Sequence, residues 1–83
     1  MKYYVYVLES LKTGKSYTGL TSNLERRLRE HNQGLSRFTR RKGPWRVLYS
    51  EEKNSLSEAQ KREKFLKTGD GRQALKNLLK KSS

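Results

Sequence analysis

The sequence predicts an α+β fold, a small three-stranded antiparallel sheet flanked by helices in the order β-β-α-β-α-α. Three observations predict it. Two β-branched and aromatic runs enclose a glycine turn near the N-terminus, and a third, alternating run follows Gly43-Pro44. Three further stretches open on Ser or Asp with Glu or Gln three residues later, the pattern that starts a helix.

Residues 2 to 9, Lys-Tyr-Tyr-Val-Tyr-Val-Leu-Glu, contain no breaker and fit a strand covered on both faces, with Tyr4, Tyr6 and Leu8 on one and Tyr3, Val5 and Val7 on the other. Lys12-Thr13-Gly14-Lys15 supplies a hairpin turn, and residues 16 to 20 return antiparallel. On that return Tyr17 and Gly19 share a face; glycine inside a strand marks a place where another group comes close. Ser22 and Glu25 form a capping pair for a helix from about Asn23 to about Asn32, with Gly34 beyond its end and an inward stripe of Leu24, Arg27, Leu28 and His31. Residues 35 to 42 have no period and crowd Arg37, Arg40, Arg41 and Lys42 around Phe38. They read as a mobile basic loop that contacts phosphates, with Phe38 either stacking or tucked into the edge of the core.

The third strand starts at Trp45 and ends near Glu51, placing Trp45 and Tyr49 on one face as core. Ser55 and Glu58 cap the next helix, which stops at Thr68-Gly69 and has the stripe Leu56, Ala59, Glu63 and Leu66. Asp70 and Gln73 cap a last helix, roughly 71 to 80, that buries Leu75, Leu78 and Leu79.

Composition limits what such a chain can be. Its 83 residues make one domain with a thin core, and since only 31% are apolar, a polar residue on an inward stripe is costly enough to need a reason. The formal charge of +12 points to a polyanionic partner, nucleic acid before membrane, because no helix pairs a basic face with a broad aromatic or leucine face. With no cysteine there is no disulfide or thiolate metal site. No apolar run resembles a signal peptide or approaches the ~20 residues of a membrane span, so the chain reads as a soluble cytoplasmic protein.

Four polar residues sit on or beside apolar faces: Tyr17, Arg27, His31 and Glu63. Each has a plain structural account, as core tyrosine, snorkelling arginine or satisfied histidine. Glu63 needs a cation, since a buried carboxylate is rarely unpaired. A buried ion pair with Arg27 satisfies both residues; the functional account gives Glu63 a divalent metal and aims Arg27 at a phosphate. One carboxylate without cysteine suits Mg²⁺ or Mn²⁺, which keep most of their waters.

Taken together, these residues resemble the GIY-YIG endonuclease superfamily, most closely its small standalone bacterial members. Tyr4-Val5-Tyr6 stands where that family has Gly-Ile-Tyr, and Tyr17-Thr18-Gly19 where it has Tyr-Ile-Gly; Arg27 and His31 follow at the family's spacing, and the Ser57-Glu58-Ala59…Glu63…Leu66-Lys67 segment is similar to its metal-binding helix. The resemblance implies a single nuclease domain over residues 1 to 83. It also implies roles: Tyr6 and Tyr17 flank the attacking water, Arg27 contacts the scissile phosphate, His31 orients a tyrosine or takes its proton, and Glu63 holds Mg²⁺ or Mn²⁺. Tyr4 replaces the first motif's glycine, and Asn77 lies where the family has a late asparagine.

Three functions follow from this reading. The first is a metal-dependent endonuclease hydrolysing DNA, with single-stranded or distorted substrate favoured and no obligate protein partner. The second is a nucleic-acid-binding module on the same scaffold without cleavage, and the third a basic protein of structured RNA. The nuclease reading requires Glu63 to pack against the Arg27 face of the first helix and the Tyr17 face of the sheet.

Overall fold

A computed structural model describes residues 1 to 82. The elements are β1 (Tyr3–Ser10), β2 (Ser16–Thr21), α1 (Leu24–Asn32), β3 (Trp45–Lys53), α2 (Leu56–Leu66) and α3 (Gly69–Ser82). The order β-β-α-β-α-α and the α+β class are those the sequence predicts. β1 is the central strand, antiparallel to β2 on one side and β3 on the other.

β1 is central because it carries apolar side chains in both directions. Val5 and Val7 join Ala59 and Leu66 of α2, with Leu20, Leu48, Tyr49 and Leu75 of α3 packed around them. Tyr6 and Leu8 point the other way, against Trp45, Tyr17 and the α1 residues Leu24 and Leu28. So α1 covers one face of the sheet, and α2 with α3 the other. Each fully buried Val or Leu of β1 contributes about 1.5–3 kcal/mol, a large share in a domain of this size.

Several local details differ from the sequence reading. Trp45 and Tyr49 lie on opposite faces: Leu8 pairs with Val47 but Val7 with Tyr49, leaving Leu48 as an extra residue that flips the alternation. The cap of α1 is Asn23, whose side chain accepts from the Arg26 N–H at 3.1 Å, rather than Ser22. Ser55 does cap α2, accepting from the Glu58 N–H. At the start of α3 the cap is Thr68 and not Asp70: its hydroxyl donates to the Phe65 carbonyl at 2.6 Å and accepts from the Gly71 N–H at 3.0 Å. This tight junction needs Gly71, where any Cβ would overlap the Phe65 carbonyl. Leu56 and Leu78 are more exposed than their stripes predict, because Ala59, Leu66 and Leu75 fill the contact with the sheet.

The loop after α1 is anchored, contrary to the expectation of a mobile segment. Gly34, at φ +76°, turns the chain out of the helix. Ser36 and Thr39 are then buried, and the Ser10 hydroxyl donates to the Lys42 carbonyl at 2.6 Å. Asn32, the last residue of α1, brackets the start of β3, accepting from the Trp45 N–H at 2.6 Å and donating to the Trp45 carbonyl at 3.2 Å. Phe38 stays 72% exposed, which rules out its place in the core.

Candidate active site

Tyr6 and Gly19 sit opposite each other in the β1–β2 ladder. A Cβ on residue 19 would stand 2.5 Å from the Tyr6 hydroxyl, so the glycine is what lets the tyrosine ring lie across the neighbouring strand. Tyr17, two residues earlier on the same face, brings its ring to 6.4 Å from that of Tyr6. His31 completes the group from α1, with its ring 5.8 Å from Tyr6 and 5.1 Å from Tyr17.

The histidine is 1% exposed and both its nitrogens are used. Nε2 shares a 2.9 Å hydrogen bond with the Tyr6 hydroxyl, and Nδ1 a 2.6 Å bond with the Thr39 hydroxyl. Burial, reinforced by the Arg27 charge, lowers its pKa from 6.5 to about 4. The ring is therefore neutral at physiological pH, one nitrogen donating and the other accepting. Thr39 is itself held, its carbonyl accepting from the Trp45 indole N–H at 3.1 Å.

The Tyr6 hydroxyl feels opposing influences. Burial pushes its pKa above the ordinary value; the adjacent Arg27 guanidinium pulls it down, and the charges of Tyr17 and Glu63 push it up again. Arg27 is half-buried and pairs with Glu30 of its own helix at 3.0 Å. Glu63 pairs with Lys67, one turn on, at 3.7 Å. The Arg27–Glu63 ion pair thus does not form.

Nor does Glu63 pack against the inner face of α1. It belongs to the helix on the other side of the sheet, and its connection with Tyr6 is electrostatic. β2 is an edge strand, and a cleft of about 300 Å³ beside it is lined by Ser16, Tyr17 and Thr18 on one side and Leu66, Lys67 and Arg72 on the other. This cleft, not an interhelical interface, brings the end of α2 to Tyr17.

Among the described residues no cluster of three His, Asp or Glu side chains exists to form a closed metal cage. A cation at Glu63 would have that one protein carboxylate. The donor set suits a hard divalent ion that keeps most of its waters and takes phosphate oxygens from a substrate. Glu63 is open enough to accept it, its side chain 24% exposed and opposed by a lysine at long range.

The other predicted residues lie apart from this centre. Arg37, Arg40, Arg41 and Lys42 are exposed on the loop that Thr39 ties to His31, with Arg41 in the left-handed region at φ 68°. Asn77 is exposed on α3, accepting from Gln73. Tyr4 bonds to Glu52 at 3.3 Å and lines a separate cleft at the start of α1. Sequence reasoning missed Thr39, for which the one available signal was a buried histidine needing a second partner, and Asn32, which bonds to the Trp45 backbone.

A sheet with paired tyrosines facing a close-approach glycine, followed by an arginine helix, defines the class. The sequence model of the GIY-YIG catalytic domain matches residues 2–77, and the chain belongs to that family. Within it the similarity is to UPF0213 proteins. The chain is 40% identical over 80 residues to one from Clostridium perfringens, covering 95% of this chain and 85% of that protein. It is 40% identical over 76 residues to another from Staphylococcus haemolyticus, covering 90% and 92%. The solution NMR structure of a UPF0213 protein from Bacillus halodurans matches with a TM-score of 0.59 at 34% identity, over 94% of this chain and 85% of that one. No helix among the described residues is long and apolar enough to cross a membrane.

Proposed function

We propose that this protein is a divalent-metal-dependent endonuclease that hydrolyses phosphodiester bonds in DNA, single-stranded or distorted in preference to regular duplex, and acts in the cytoplasm. The observation that carries the reading is the convergence of Tyr6, Tyr17 and His31 within 6.4 Å ring to ring, beside Arg27 and in reach of the Glu63 charge. A carboxylate, a guanidinium and tyrosine hydroxyls, with Tyr17 lining an open cleft, are groups that phosphodiester hydrolysis uses.

In this mechanism Arg27 faces the scissile phosphate and offsets the charge that builds on it. Tyr17, half-buried and lining the cleft, is the tyrosine that a substrate water reaches. Its hydroxyl takes the water's proton as it passes its own to solvent, while the water oxygen bonds to phosphorus, the bond to the leaving sugar oxygen breaks, and that oxygen takes up a proton from solvent. Tyr6 is 1% exposed and bonded to neutral His31, which suits it to holding the water and Arg27 in place rather than exchanging protons with solvent. Glu63 would hold Mg²⁺ or Mn²⁺, and a bound ion would polarise the phosphate and lower the pKa of a water.

The experiment is cleavage of single-stranded and duplex DNA with Mg²⁺ or Mn²⁺ by the wild type and by Glu63→Gln, which keeps the shape and removes the charge. A loss of about 10²-fold is expected, the scale of one electrostatic group at a reacting phosphate. Equal activity in both proteins would trace the cleavage to a contaminant and overturn the assignment.

A further inference from the structure

The cleft at Tyr17 continues. Ser16 and Arg72 also line a second groove with Gly14, Lys15 and Lys76, so the two form one trough along the outer edge of β2, running from Tyr17 to the hairpin turn. Four cations line it, Lys15, Lys67, Arg72 and Lys76, and among the described residues no carboxylate does. Lys67 is engaged by Glu63. Lys15, Arg72 and Lys76 are exposed and form no ion pair among the described residues.

Two features say what this trough takes. Its cations are strung out rather than convergent: Arg72 and Lys76 are one helical turn apart, about 6 Å along the axis, and Lys15 faces them from the hairpin. A small anion needs donors that meet at a point, whereas a row open at its end fits a repeating polyanion. The floor is an edge strand, and such a strand has a row of backbone N–H groups with no neighbouring strand to bond. Hydroxyls of Ser16 and Thr18 stand beside them. Backbone amides, hydroxyls and spaced cations are the groups that hold phosphates without reading bases.

We infer that the trough between β2 and α3 is the track for the sugar-phosphate backbone of the DNA strand on one side of the scissile bond, held by Lys15, Arg72 and Lys76. The inference rests on the nuclease reading for the identity of the strand, and it moves the main anchoring surface from the loop of Arg37, Arg40 and Arg41 to the edge of β2. Lys67 joins the two functions. Drawn to a phosphate in the track, it leaves the Glu63 carboxylate free for a cation.

The test measures binding of a labelled single-stranded DNA oligonucleotide by fluorescence anisotropy in EDTA across a range of salt. It compares the wild type with Lys15→Gln/Arg72→Gln/Lys76→Gln and with Arg37→Gln/Arg40→Gln/Arg41→Gln. The groove variant is expected to bind about tenfold or more weakly at low salt, and to lower the log–log salt slope by about 0.7 for each phosphate it no longer neutralises. With Mg²⁺ its loss of cleavage is expected chiefly as a raised KM for DNA. Wild-type affinity and slope in the groove variant, with the loss confined to the loop variant, would overturn the inference. So would a lost kcat with unchanged binding. Arg72→Gln alone, expected to lower the slope by about 0.7, keeps the test open if the triple variant does not fold. Because binding is read without metal, an inactive but normally binding wild type would count against the nuclease reading and not against the track.

Discussion

Arg27→Ala is expected to lower kcat/KM for DNA cleavage by about 10²- to 10³-fold, the loss typical of removing one donor aimed at developing transition-state charge. The side chain is half-buried, tethered to Glu30 at 3.0 Å, and set beside the Tyr6 hydroxyl. Arg27→Lys should recover only a small part of the loss, since an ammonium keeps the charge but not the planar fork that engages two phosphate oxygens. A second readout separates this role from simple packing. The Arg27 charge helps to hold the His31 pKa at about 4, so in Arg27→Ala the imidazole should titrate closer to its ordinary 6.5 when followed by NMR. Unchanged cleavage together with an unmoved His31 would contradict the placement.

The second large effect is on stability, through His31 itself. Its pKa is lowered from 6.5 to about 4 in the folded protein, first by burial and then by Arg27. Between those values the unfolded chain binds a proton that the folded one refuses, so stability falls as pH falls. Above pH 6.5 the group has no effect; across the window from 6.5 down to about 4 it removes about 3 kcal/mol at 1.36 kcal/mol per pH unit. That is a large part of what a domain of this size holds in total. Urea unfolding at a series of pH values should show the decline, and His31→Gln should flatten it. At pH 7.5 that variant should be about 1–3 kcal/mol less stable, because the buried Tyr6 and Thr39 hydroxyls lose the partner they share. A wild-type His31 that titrates at 6.5, or a flat stability profile, would refute this.

A further acid-sensitive contact lies on the other face. Glu51 is clamped by Arg62 at 2.8 Å and by the Tyr49 hydroxyl. Burial alone would raise its pKa, but these hydrogen bonds win and hold it below the usual carboxylate value. Its contribution is present above pH 4.5 and disappears below it, after the His31 loss is largely complete.

The fold was legible where physics is local. Two faces of β1, the glycine hairpin, the Leu24–Leu28–His31 stripe and the Ser55 cap follow from alternation, helical period and capping chemistry. Neighbouring cap candidates, Ser22 against Asn23 and Asp70 against Thr68, differ by too little in propensity to be separated without the backbone around them. The Leu48 bulge is a different kind of failure. Every residue from Trp45 to Tyr49 suits a strand, so nothing in the pattern marks the one that is skipped.

The site was half legible for a similar reason. The meeting of Gly19 and Tyr6 follows from the register of a hairpin whose turn can be read from residues. Periodicity shows which face of a helix is buried, but not against which face of the sheet it docks. Glu63 therefore stands out as a misfit on its helix, while the expectation that it packs against α1 fails. Thr39 lies in an aperiodic loop and matters only through a long-range bond to His31, of a kind that no local pattern encodes.

The central claim is that Glu63 completes the tyrosine site by way of the β2 edge. A crystal structure grown with Mn²⁺ and a short phosphodiester, its metal located by anomalous scattering, tests this directly. The account predicts Mn²⁺ at the Glu63 carboxylate and the phosphodiester within reach of Arg27 and Tyr17. Mn²⁺ bound elsewhere, or a phosphodiester that leaves Arg27 paired only with Glu30 and Glu63 with Lys67, would contradict it.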